Sequence, residues 1–358
     1  MLIGVTGRVC AGKRTVSGLV RELYGCVEIP AGDGIDGSVD GVGADGGTTL
    51  PFPDDAWVSG RHYVLSPIDS VPLVEALRKR PYFLLLAVEA PLLMRYRRYR
   101  RRQHAAEDTA SLEAFVRLDD ASYYGTSSDT ADSPPVTFGA PSTTLRRCVA
   151  AADVRLVNAD ESIEALAQQI ARLDLLNAER LRPSWDAYFM RMANLASMRT
   201  NCMKRRVGAV IVRDHRVVAT GYNGTPRGTR NCNAGGCPRC NDDARAGHAL
   251  DECLCLHAEE NALIEAGRAR CADATLYTNL CPCLGCTKKI VQAGVRQVVY
   301  GMDYAMDERS AALLTEAGVR IRRFAQSPSA DADAACADAV PHVMDDHLLS
   351  PCTKFTAM

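Results

Sequence analysis

Residues 275–300 read TLYTNLCPCLGCTKKIVQAGVRQVVY and contain the pattern that decides the fold. The apolar segment Thr275–Thr278 predicts a strand, and a helix beginning after Pro282 ends at Ala293-Gly294, where glycine can adopt the left-handed conformation of a helix end. The apolar segment Val295–Tyr300 predicts the next strand. This order of strand, helix and strand is typical of an α/β layer structure.

The same alternation continues on both sides of this segment. Two further helices end in Ala-Gly, at Ala266-Gly267 and Ala317-Gly318, and the second leads into an apolar strand at Val319–Phe324. Upstream, a helix over 185–199 precedes a hairpin around polar residues 213–216. The hairpin strands are Val207–Val212 and Val217–Tyr222. These elements predict an α/β/α layer domain with a mixed sheet over 184–324.

A separate α/β domain is predicted over 1–176. It opens with a buried strand at its first residues, a glycine-containing turn and an amphipathic helix. Later strands are expected at Phe83–Val88 and Val154–Val157. Residues 31–60 and 126–144 are rich in Gly, Ser, Thr, Asp or Pro and are expected to be loops or insertions. A low-complexity tail over 325–358 is expected to be disordered.

The composition excludes several classes of protein. The chain has 358 residues, of which 47% are hydrophobic, as in an ordinary two-domain soluble protein. Its 42 Lys and Arg residues and 43 Asp and Glu residues leave a net charge of −1, which gives no overall attraction to nucleic acid or anionic lipid. Neither a signal peptide nor an apolar run of about 18 residues is present. We therefore expect a protein of the cytoplasm or nucleus that binds neither membranes nor nucleic acid.

The cysteines indicate metal binding. Ten of the 15 lie between Cys202 and Cys286, and a reducing compartment would not maintain so many disulfides. His257 with Cys283 and Cys286 would give zinc three ligands and leave the fourth position for water, whose pKa zinc lowers to about 7. Glu259, two residues after the histidine, is expected to be the catalytic proton carrier rather than a ligand.

These residues form the H-x-E and P-C-x-x-C pattern that is typical of zinc nucleobase deaminases. Beyond this pattern, the sequence resembles the deoxycytidylate (dCMP) deaminases over about 183–324, and it is most similar to the fungal members, which also carry an N-terminal extension. The resemblance rests on five segments: Trp185–Met190, Val207–Val212, Gly221–Pro226, His257–Ala262 and Val291–Gly294. It implies a cytidine-deaminase-like fold for the C-terminal domain.

The resemblance also implies an activity and its regulation. The activity is hydrolysis of dCMP to dUMP and ammonia, which feeds thymidylate synthesis. Activation by dCTP and inhibition by dTTP, with Mg²⁺ as a companion of these nucleotides, would act through a homohexamer.

Substrate contacts are expected on both sides of the metal motif. By resemblance, Asn223 bonds the sugar, although Asn-Gly is also a common hairpin-turn dipeptide. Ala258 is expected to line the substrate site, and Tyr304 could contact the base or phosphate or simply pack in its loop. The monophosphate needs a cation, and the candidates include Arg199 and Lys204, whose alternative is a solvated charged run. Arg205 and Arg206 are further candidates.

A second, structural zinc is expected from the remaining cysteines. Cys202, Cys232, Cys237 and Cys253 align with Cys or His positions that bacterial and phage relatives use for such a site, and four thiolates would close it. Cys240, Cys255 and His248 are alternative ligands, because the 233–252 loop varies in length among relatives.

The first domain resembles dephospho-coenzyme A kinase and other small P-loop kinases. Gly7, Gly12 and Lys13 follow a strand and precede a helix, which fits a phosphate-binding loop. The next position should provide a Ser or Thr hydroxyl for magnesium, but Arg14 occupies it. We therefore expect a degenerate kinase-like domain that binds a nucleotide or only serves as a scaffold.

Three alternative functions remain open at this point. Two share the fold, namely deaminases of free cytidine or of tRNA adenosine; a tRNA enzyme should have basic flanks, which the acidic, alanine-rich tail does not provide. The third is a nucleotide kinase with a structural zinc module, which Arg14 disfavours because it removes the magnesium hydroxyl.

Overall fold

The computed structural model describes residues 1–29, 60–103, 111–125, 144–160, 162–242, 252–303 and 308–325. The chain divides into two compact units, one beginning at Met1 and ending at Leu181, the other beginning at Arg182. The predicted loops at 31–60 and 126–144 and the predicted tail lie outside the described ranges, apart from residues at their edges. No helix within those ranges is both long and apolar enough to cross a membrane.

The first unit contains a parallel five-stranded sheet. Its strands are β1 (Leu2–Gly7), β2 (Val27–Ile29), β3 (Tyr63–Leu65), β4 (Phe83–Glu89) and β5 (Val154–Val157). Its helices are α1 (Lys13–Tyr24), α2 (Val71–Arg78), α3 (Leu92–Gln103), α4 (Leu112–Tyr124), α5 (Thr144–Ala150), α6 (Ile163–Leu173) and α7 (Ala178–Leu181). The strand order is β2-β3-β1-β4-β5, and every pairing is parallel. Side chains of β1 and β4 are buried on both faces, as expected for continuous apolar strands covered by helices.

The second unit contains the predicted mixed sheet. Its strands are β6 (Gly208–Arg213), β7 (Arg216–Tyr222), β8 (Thr275–Leu280), β9 (Gln297–Met302) and β10 (Arg320–Arg323). Its helices are α8 (Trp185–Ser197), α9 (Pro238–Asn241), α10 (Ala258–Ala266), α11 (Arg268–Cys271), α12 (Leu284–Gln292) and α13 (Glu308–Glu316), with a 3₁₀ turn at Cys232–Ala234. The order is β10-β9-β8-β6-β7; β6 is antiparallel to both neighbours, whereas β8, β9 and β10 are parallel.

Residues with positive φ mark the ends of several of these strands and helices. Asp214 and His215 both have positive φ, at 51° and 58°, which matches the turn that joins tightly twisted hairpin strands. Gly267, Gly294 and Gly318 follow the three helices that end in Ala-Gly, and all have positive φ, at 70°, 78° and 69°. The hairpin and the three glycine helix ends predicted from the sequence are therefore confirmed.

Helices cover both faces of the second sheet. Val210 and Val212 of β6 pack with Phe189 of α8, whereas Ala209 and Ile211 on the opposite face belong to the core that contains α10 and α12. This alternation along one strand produces the three layers. The α/β/α architecture predicted for this unit is confirmed.

Gly221 brings α10 unusually close to the sheet. A Cβ atom at this position of β7 would lie 2.2 Å from the carbonyl oxygen of Ala258 and 2.5 Å from the amide nitrogen of Ala262. Only a residue without a side chain permits this approach. The first turn of α10 is therefore fixed against β7, which positions the residues at its N-terminal end.

Candidate active site

The metal-ligand motif lies at the starts of two neighbouring helices. His257 immediately precedes α10, and Glu259 lies in its first turn. Cys283 immediately precedes α12, and Cys286 lies in its first turn. Helix N-termini favour negative charge, so both positions suit thiolates and a carboxylate.

Three potential ligand atoms converge at this point. His257 Nδ1 lies 3.4 Å from Cys283 Sγ and 3.3 Å from Cys286 Sγ. A tetrahedral zinc ion with its usual bond lengths places a nitrogen and a sulfur ligand about 3.6 Å apart. The three side chains therefore fit a zinc ion, and one coordination position would remain for a non-protein ligand.

The thiols already interact strongly with each other. A hydrogen bond from the Cys286 thiol lowers the pKa of Cys283 to about 3, and the same bond raises the pKa of Cys286. A hydrogen bond with Cys283 also raises the pKa of His257. The lowered pKa favours the thiolate form of Cys283, which is the form that binds a soft cation.

Glu259 stands beside these ligand atoms. Its side chain is buried, with 3% of the residue exposed, and its Oε2 lies 3.7 Å from Cys286 Sγ. Burial raises the pKa of the Glu259 carboxyl group. A carboxyl group whose pKa is shifted toward neutrality is suited to exchanging protons with a bound reactant.

A cavity of about 350 Å³ opens onto this group. Of the predicted residues, Asn223, Ala258, Glu259 and Lys204 line it, together with His257 and Cys283. Arg199 is not among the lining residues, whereas Arg205, also a candidate, is. Arg199 occupies an exposed position just beyond α8, and its role as a phosphate-binding cation stays a prediction. Tyr304 lies outside the described residues.

Asn223 organises one wall of the cavity. Its Oδ1 accepts hydrogen bonds from the amide of Val207 at 2.8 Å and the hydroxyl of Thr200 at 2.6 Å, and its Nδ2 donates to the carbonyl of Arg205 at 2.9 Å. The hairpin-turn alternative for Asn223-Gly224 is wrong, because the turn lies at Asp214 and His215 and Asn223 follows the end of β7. Contact between Asn223 and a sugar stays a prediction.

Six cysteines form a cluster beside the cavity, and four of them line it. Cys202, Cys232, Cys240 and Cys255 form one group of four sulfurs, and Cys237, Cys240, Cys253 and Cys255 form another. The predicted ligand set took two cysteines from each group and is therefore not one of these two groups. Sequence spacing did not separate the alternatives, since Cys237-x-x-Cys240 and Cys253-x-Cys255 each contain a predicted ligand and a substitute. His248 lies outside the described ranges.

Two ionisable cavity residues were not assigned from the sequence. Arg239 lies between Cys237 and Cys240, and Cys281 precedes the Pro282-Cys283 motif; both line the cavity. The sequence feature that could have identified them is their position within or beside a metal-ligand motif. Because segments distant in sequence form the cavity wall, the spacing of the motifs alone did not show that Arg239 and Cys281 line it.

The two glycines of the predicted phosphate-binding loop in the first unit adopt positive φ angles, which favour glycine. Gly7 and Gly12 have φ of 149° and 105°, and a Cβ atom at Gly7 would lie 2.2 Å from the carbonyl oxygen of Val88. Lys13 Nζ donates to the Gly7 carbonyl at 2.5 Å, and burial lowers the pKa of Lys13. Gly12 and Arg98 line a second cavity, of about 290 Å³. Nucleotide binding by Gly7, Gly12 and Lys13 stays a prediction.

Sequence comparisons match the chain to known proteins, both at the metal-ligand motif and over most of its length. The family model described as "Cytidine and deoxycytidylate deaminase zinc-binding region" matches residues 183–302. Deoxycytidylate deaminase of Schizosaccharomyces pombe is 44% identical over 338 residues, which cover 90% of this chain and 97% of that protein. The enzyme of the same name from Saccharomyces cerevisiae is 45% identical over 262 residues, covering 72% of this chain and 80% of that protein.

A solved structure is also similar to part of the chain. It is the dCMP deaminase of cyanophage S-TIM5 in complex with dCMP and dUMP, which is 30% identical, covers 40% of this chain and 98% of that chain, and gives a TM-score of 0.33. The two fungal sequences carry the assignment: the longer alignment spans 90% of this chain and so includes most of the first unit. The chain belongs to the deoxycytidylate deaminase family.

Proposed function

We propose that this protein hydrolyses dCMP to dUMP and ammonia in the cavity that contains Glu259. The observation that carries the proposal is the convergence of one imidazole nitrogen and two thiol sulfurs beside a buried carboxyl group. A nucleobase deaminase needs this set, because the reaction requires an activated water and a group that moves protons. Membership of the deoxycytidylate deaminase family supports the same reaction.

His257, Cys283 and Cys286 would hold the catalytic zinc. Zinc bound there supplies a water molecule whose pKa is lowered to about 7. Glu259 accepts a proton from the attacking water as its oxygen forms a bond to C4 of the cytosine ring. Glu259 delivers that proton to the ring nitrogen, then takes the remaining proton of the added hydroxyl and passes it to the amino group. The carbon–nitrogen bond then breaks, a carbonyl forms at C4 and ammonia leaves.

Basic residues of the cavity would select a nucleotide over a nucleoside. Lys204, Arg205 and Arg239 line the same cavity as Glu259. Lys204 donates a hydrogen bond to the carbonyl of Asp242 at 2.8 Å, which orients its ammonium group. A monophosphate carries negative charge that cations bind through charge-assisted hydrogen bonds. We assign the substrate phosphate to the cavity wall formed by Lys204, Arg205 and Arg239. The base and sugar would lie beside Ala258 and Asn223.

Ammonia release from several substrates tests the proposal. Under one set of conditions, dCMP should be turned over faster than CMP, deoxycytidine and an RNA containing a tRNA anticodon arm. Deoxycytidine turned over as well as dCMP would favour a nucleoside deaminase, and activity only on the RNA would favour a tRNA deaminase.

Regulation and assembly belong to the same proposal. The family resemblance supports activation by dCTP and inhibition by dTTP, with Mg²⁺ as their companion, in a homohexamer working in the cytoplasm or nucleus. Light scattering with and without dCTP, run beside the activity assay, measures subunit number and nucleotide response together.

We also propose a division of labour between the units. Residues 184–324 would carry the zinc-dependent reaction, and residues 1–176 would form a degenerate P-loop kinase-like domain. The exposed side chain of Arg14, at the position where a P-loop kinase has a magnesium-binding hydroxyl, supports the second assignment.

A further inference from the structure

The six-cysteine cluster (Cys202, Cys232, Cys237, Cys240, Cys253 and Cys255) is too crowded for one zinc ion to use all its sulfurs. Each of its two groups of four sulfurs has the size of a zinc coordination shell, and the groups share Cys240 and Cys255. A tetrahedral zinc ion accepts four ligands. A single ion would therefore leave two cysteines of the cluster unused.

The sulfur distances match two tetrahedra that share an edge. Cys240 Sγ lies 3.8 Å from Cys202 Sγ, 3.6 Å from Cys253 Sγ and 4.0 Å from Cys255 Sγ, and Cys237 Sγ lies 4.0 Å from Cys253 Sγ. Zinc–sulfur bonds of about 2.3 Å give a tetrahedron whose edges are about 3.8 Å. The shared edge would be the pair Cys240 and Cys255. We propose that this cluster binds two zinc ions, bridged by the thiolates of Cys240 and Cys255.

The remaining four cysteines would be terminal ligands. Cys202 and Cys232 would complete the first ion, and Cys237 and Cys253 would complete the second. All six are unpaired thiols. Cys232 and Cys237 are fully buried, so a single ion in either group would leave one buried terminal thiol without a metal.

Hydrogen-bond donors are already directed at the terminal sulfurs. The backbone amide of Met203 donates to Cys232 Sγ at 3.4 Å, and Asn241 Nδ2 approaches the same sulfur at 3.9 Å. The backbone amides of Lys204 and Arg205 contribute to lowering the pKa of Cys202, and those of Cys240 and Leu254 contribute to lowering the pKa of Cys237. Donors of this kind orient metal ligands and stabilise the negative charge on thiolates.

The described residues around the cluster contain little other apolar core. The buried apolar cluster at this point consists of cysteines, with Cys202 and Cys253 packed against its buried members. The adjoining regular structure is a three-residue 3₁₀ turn and the four-residue helix α9. Because small side chains bury little apolar area, metal binding would supply much of the folding free energy here.

The cluster would also shape the active-site cavity. Cys202, Cys240, Cys253 and Cys255 line that cavity. Cys255 lies two residues before His257, and Cys202 lies two residues before Lys204. Fixing these sulfurs on two zinc ions would fix both the histidine ligand and the proposed phosphate-binding wall.

Metal analysis of matched variants of the full-length protein tests the proposal. We expect about three zinc ions per chain in the wild type, of which one belongs to the catalytic site. Cys232→Ser and Cys237→Ser should each lose about one ion, because each removes a terminal ligand of a different zinc. Cys271→Ser, which changes a buried cysteine outside the cluster, should retain all of them.

The outcomes separate a binuclear cluster from its alternatives. About two zinc ions in the wild type, with only one of the two terminal-ligand variants losing metal, would mean a single structural zinc. Iron with inorganic sulfide, or disulfides in place of metal, would also overturn the proposal. The metal count does not depend on the proposed reaction, so its failure is distinguishable from loss of deaminase activity.

Cadmium-113 NMR of the metal-exchanged wild type provides a test that needs no variant. Two signals from sulfur-only sites, coupled to one another through shared thiolates, are expected in addition to the signal from the mixed nitrogen and sulfur site. A single sulfur-only signal would contradict the binuclear cluster.

Discussion

The Glu259 carboxylate oxygen Oε2 lies 3.7 Å from the Cys286 sulfur, although the two residues belong to different helices, α10 and α12. The first turns of the two helices therefore lie close together. Burial raises the pKa of Glu259, while the neighbouring thiols and imidazole provide a place for a cation. A proton carrier and a metal-ligand set are thus held together by the positions of two helix starts.

Glu259→Gln is expected to abolish most of the activity without loss of metal. Glutamine preserves the shape of the side chain but cannot accept a proton, and general acid–base catalysis contributes about 10²–10⁴-fold to rate. We therefore expect ammonia release from dCMP to fall by at least about 10²-fold. Zinc content, measured by atomic emission on the same sample, should be unchanged.

The control for this change is the neighbouring Glu260. Its partly exposed side chain forms an ion pair with the half-exposed Lys289. Glu260→Gln is expected to keep activity within about threefold of the wild type, since such ion pairs contribute little. Equal losses in both variants, or activity of Glu259→Gln within tenfold of wild type, would remove Glu259 from the proposed mechanism.

Arg205 and Arg199 distinguish a phosphate contact from a solvated charge. Arg205 lines the cavity, whereas Arg199 is not among the residues that line it. Arg205→Ala should lower kcat/KM for dCMP by about tenfold to a hundredfold, the range expected for hydrogen bonds to a charged group, and should change kcat/KM for deoxycytidine much less. Arg199→Ala should leave both values near wild type. Parallel kinetics on the two substrates checks this, and equal effects of the two variants would argue against a phosphate site at Arg205.

Much of the second unit could be predicted because its signals are local. The positive-φ glycines Gly267, Gly294 and Gly318 mark helix ends in the sequence itself, and apolar segments mark the strands between them. His257 and Cys283 were predicted to lie at helix starts, and the structure places them there. Each of them ends a loop and immediately precedes a helix.

What could not be predicted depends on contacts between distant segments. Whether Arg199 or Arg205 lines the cavity is determined by the path of the chain after α8, which the Asn223 side chain fixes through three hydrogen bonds to residues 200–207. The grouping of cysteines is similarly a three-dimensional property. Cys240 lies near both Cys202 and Cys253, and no spacing rule specifies that position.

Tyr277 should contribute a pH-dependent part of the stability of the second unit. Its hydroxyl donates to Asp186 Oδ1 at 2.9 Å, and Asp186 also pairs with Arg322. Burial and this hydrogen bond raise the pKa of Tyr277 above its ordinary value of 10.0. A raised pKa means that the protonated hydroxyl stabilises the fold fully below about pH 10, and that this contribution is lost as pH rises toward the higher folded-state pKa.

We therefore expect Tyr277→Phe to lower the free energy of unfolding by about 1.5 kcal/mol at pH 8, as for a hydrogen bond to a charged group. The difference from wild type should narrow above about pH 10, where the tyrosine of the unfolded chain ionises. Denaturant titrations at several pH values measure this difference directly. Tyr188→Phe, at an exposed position, should change the unfolding free energy by less than about 0.5 kcal/mol at each pH. A difference for Tyr277→Phe that stays constant or widens with pH would contradict the proposed role.

The first unit is expected to lack phosphoryl transfer although it retains a phosphate-loop backbone. Gly7 and Gly12 keep the positive φ angles of such a loop, but Lys13 donates to the carbonyl of Gly7 and Arg14 stands where a magnesium-binding hydroxyl is needed. Radiolabelled ATP should therefore give no labelled product with dCMP or dephospho-coenzyme A as acceptor. A chain beginning near residue 178 should still deaminate dCMP, because the motif residues all follow Trp185. Phosphoryl transfer that disappears in Lys13→Ala would refute the degenerate-kinase assignment, and a zinc-loaded but inactive truncated chain would place the first unit in the catalytic assembly.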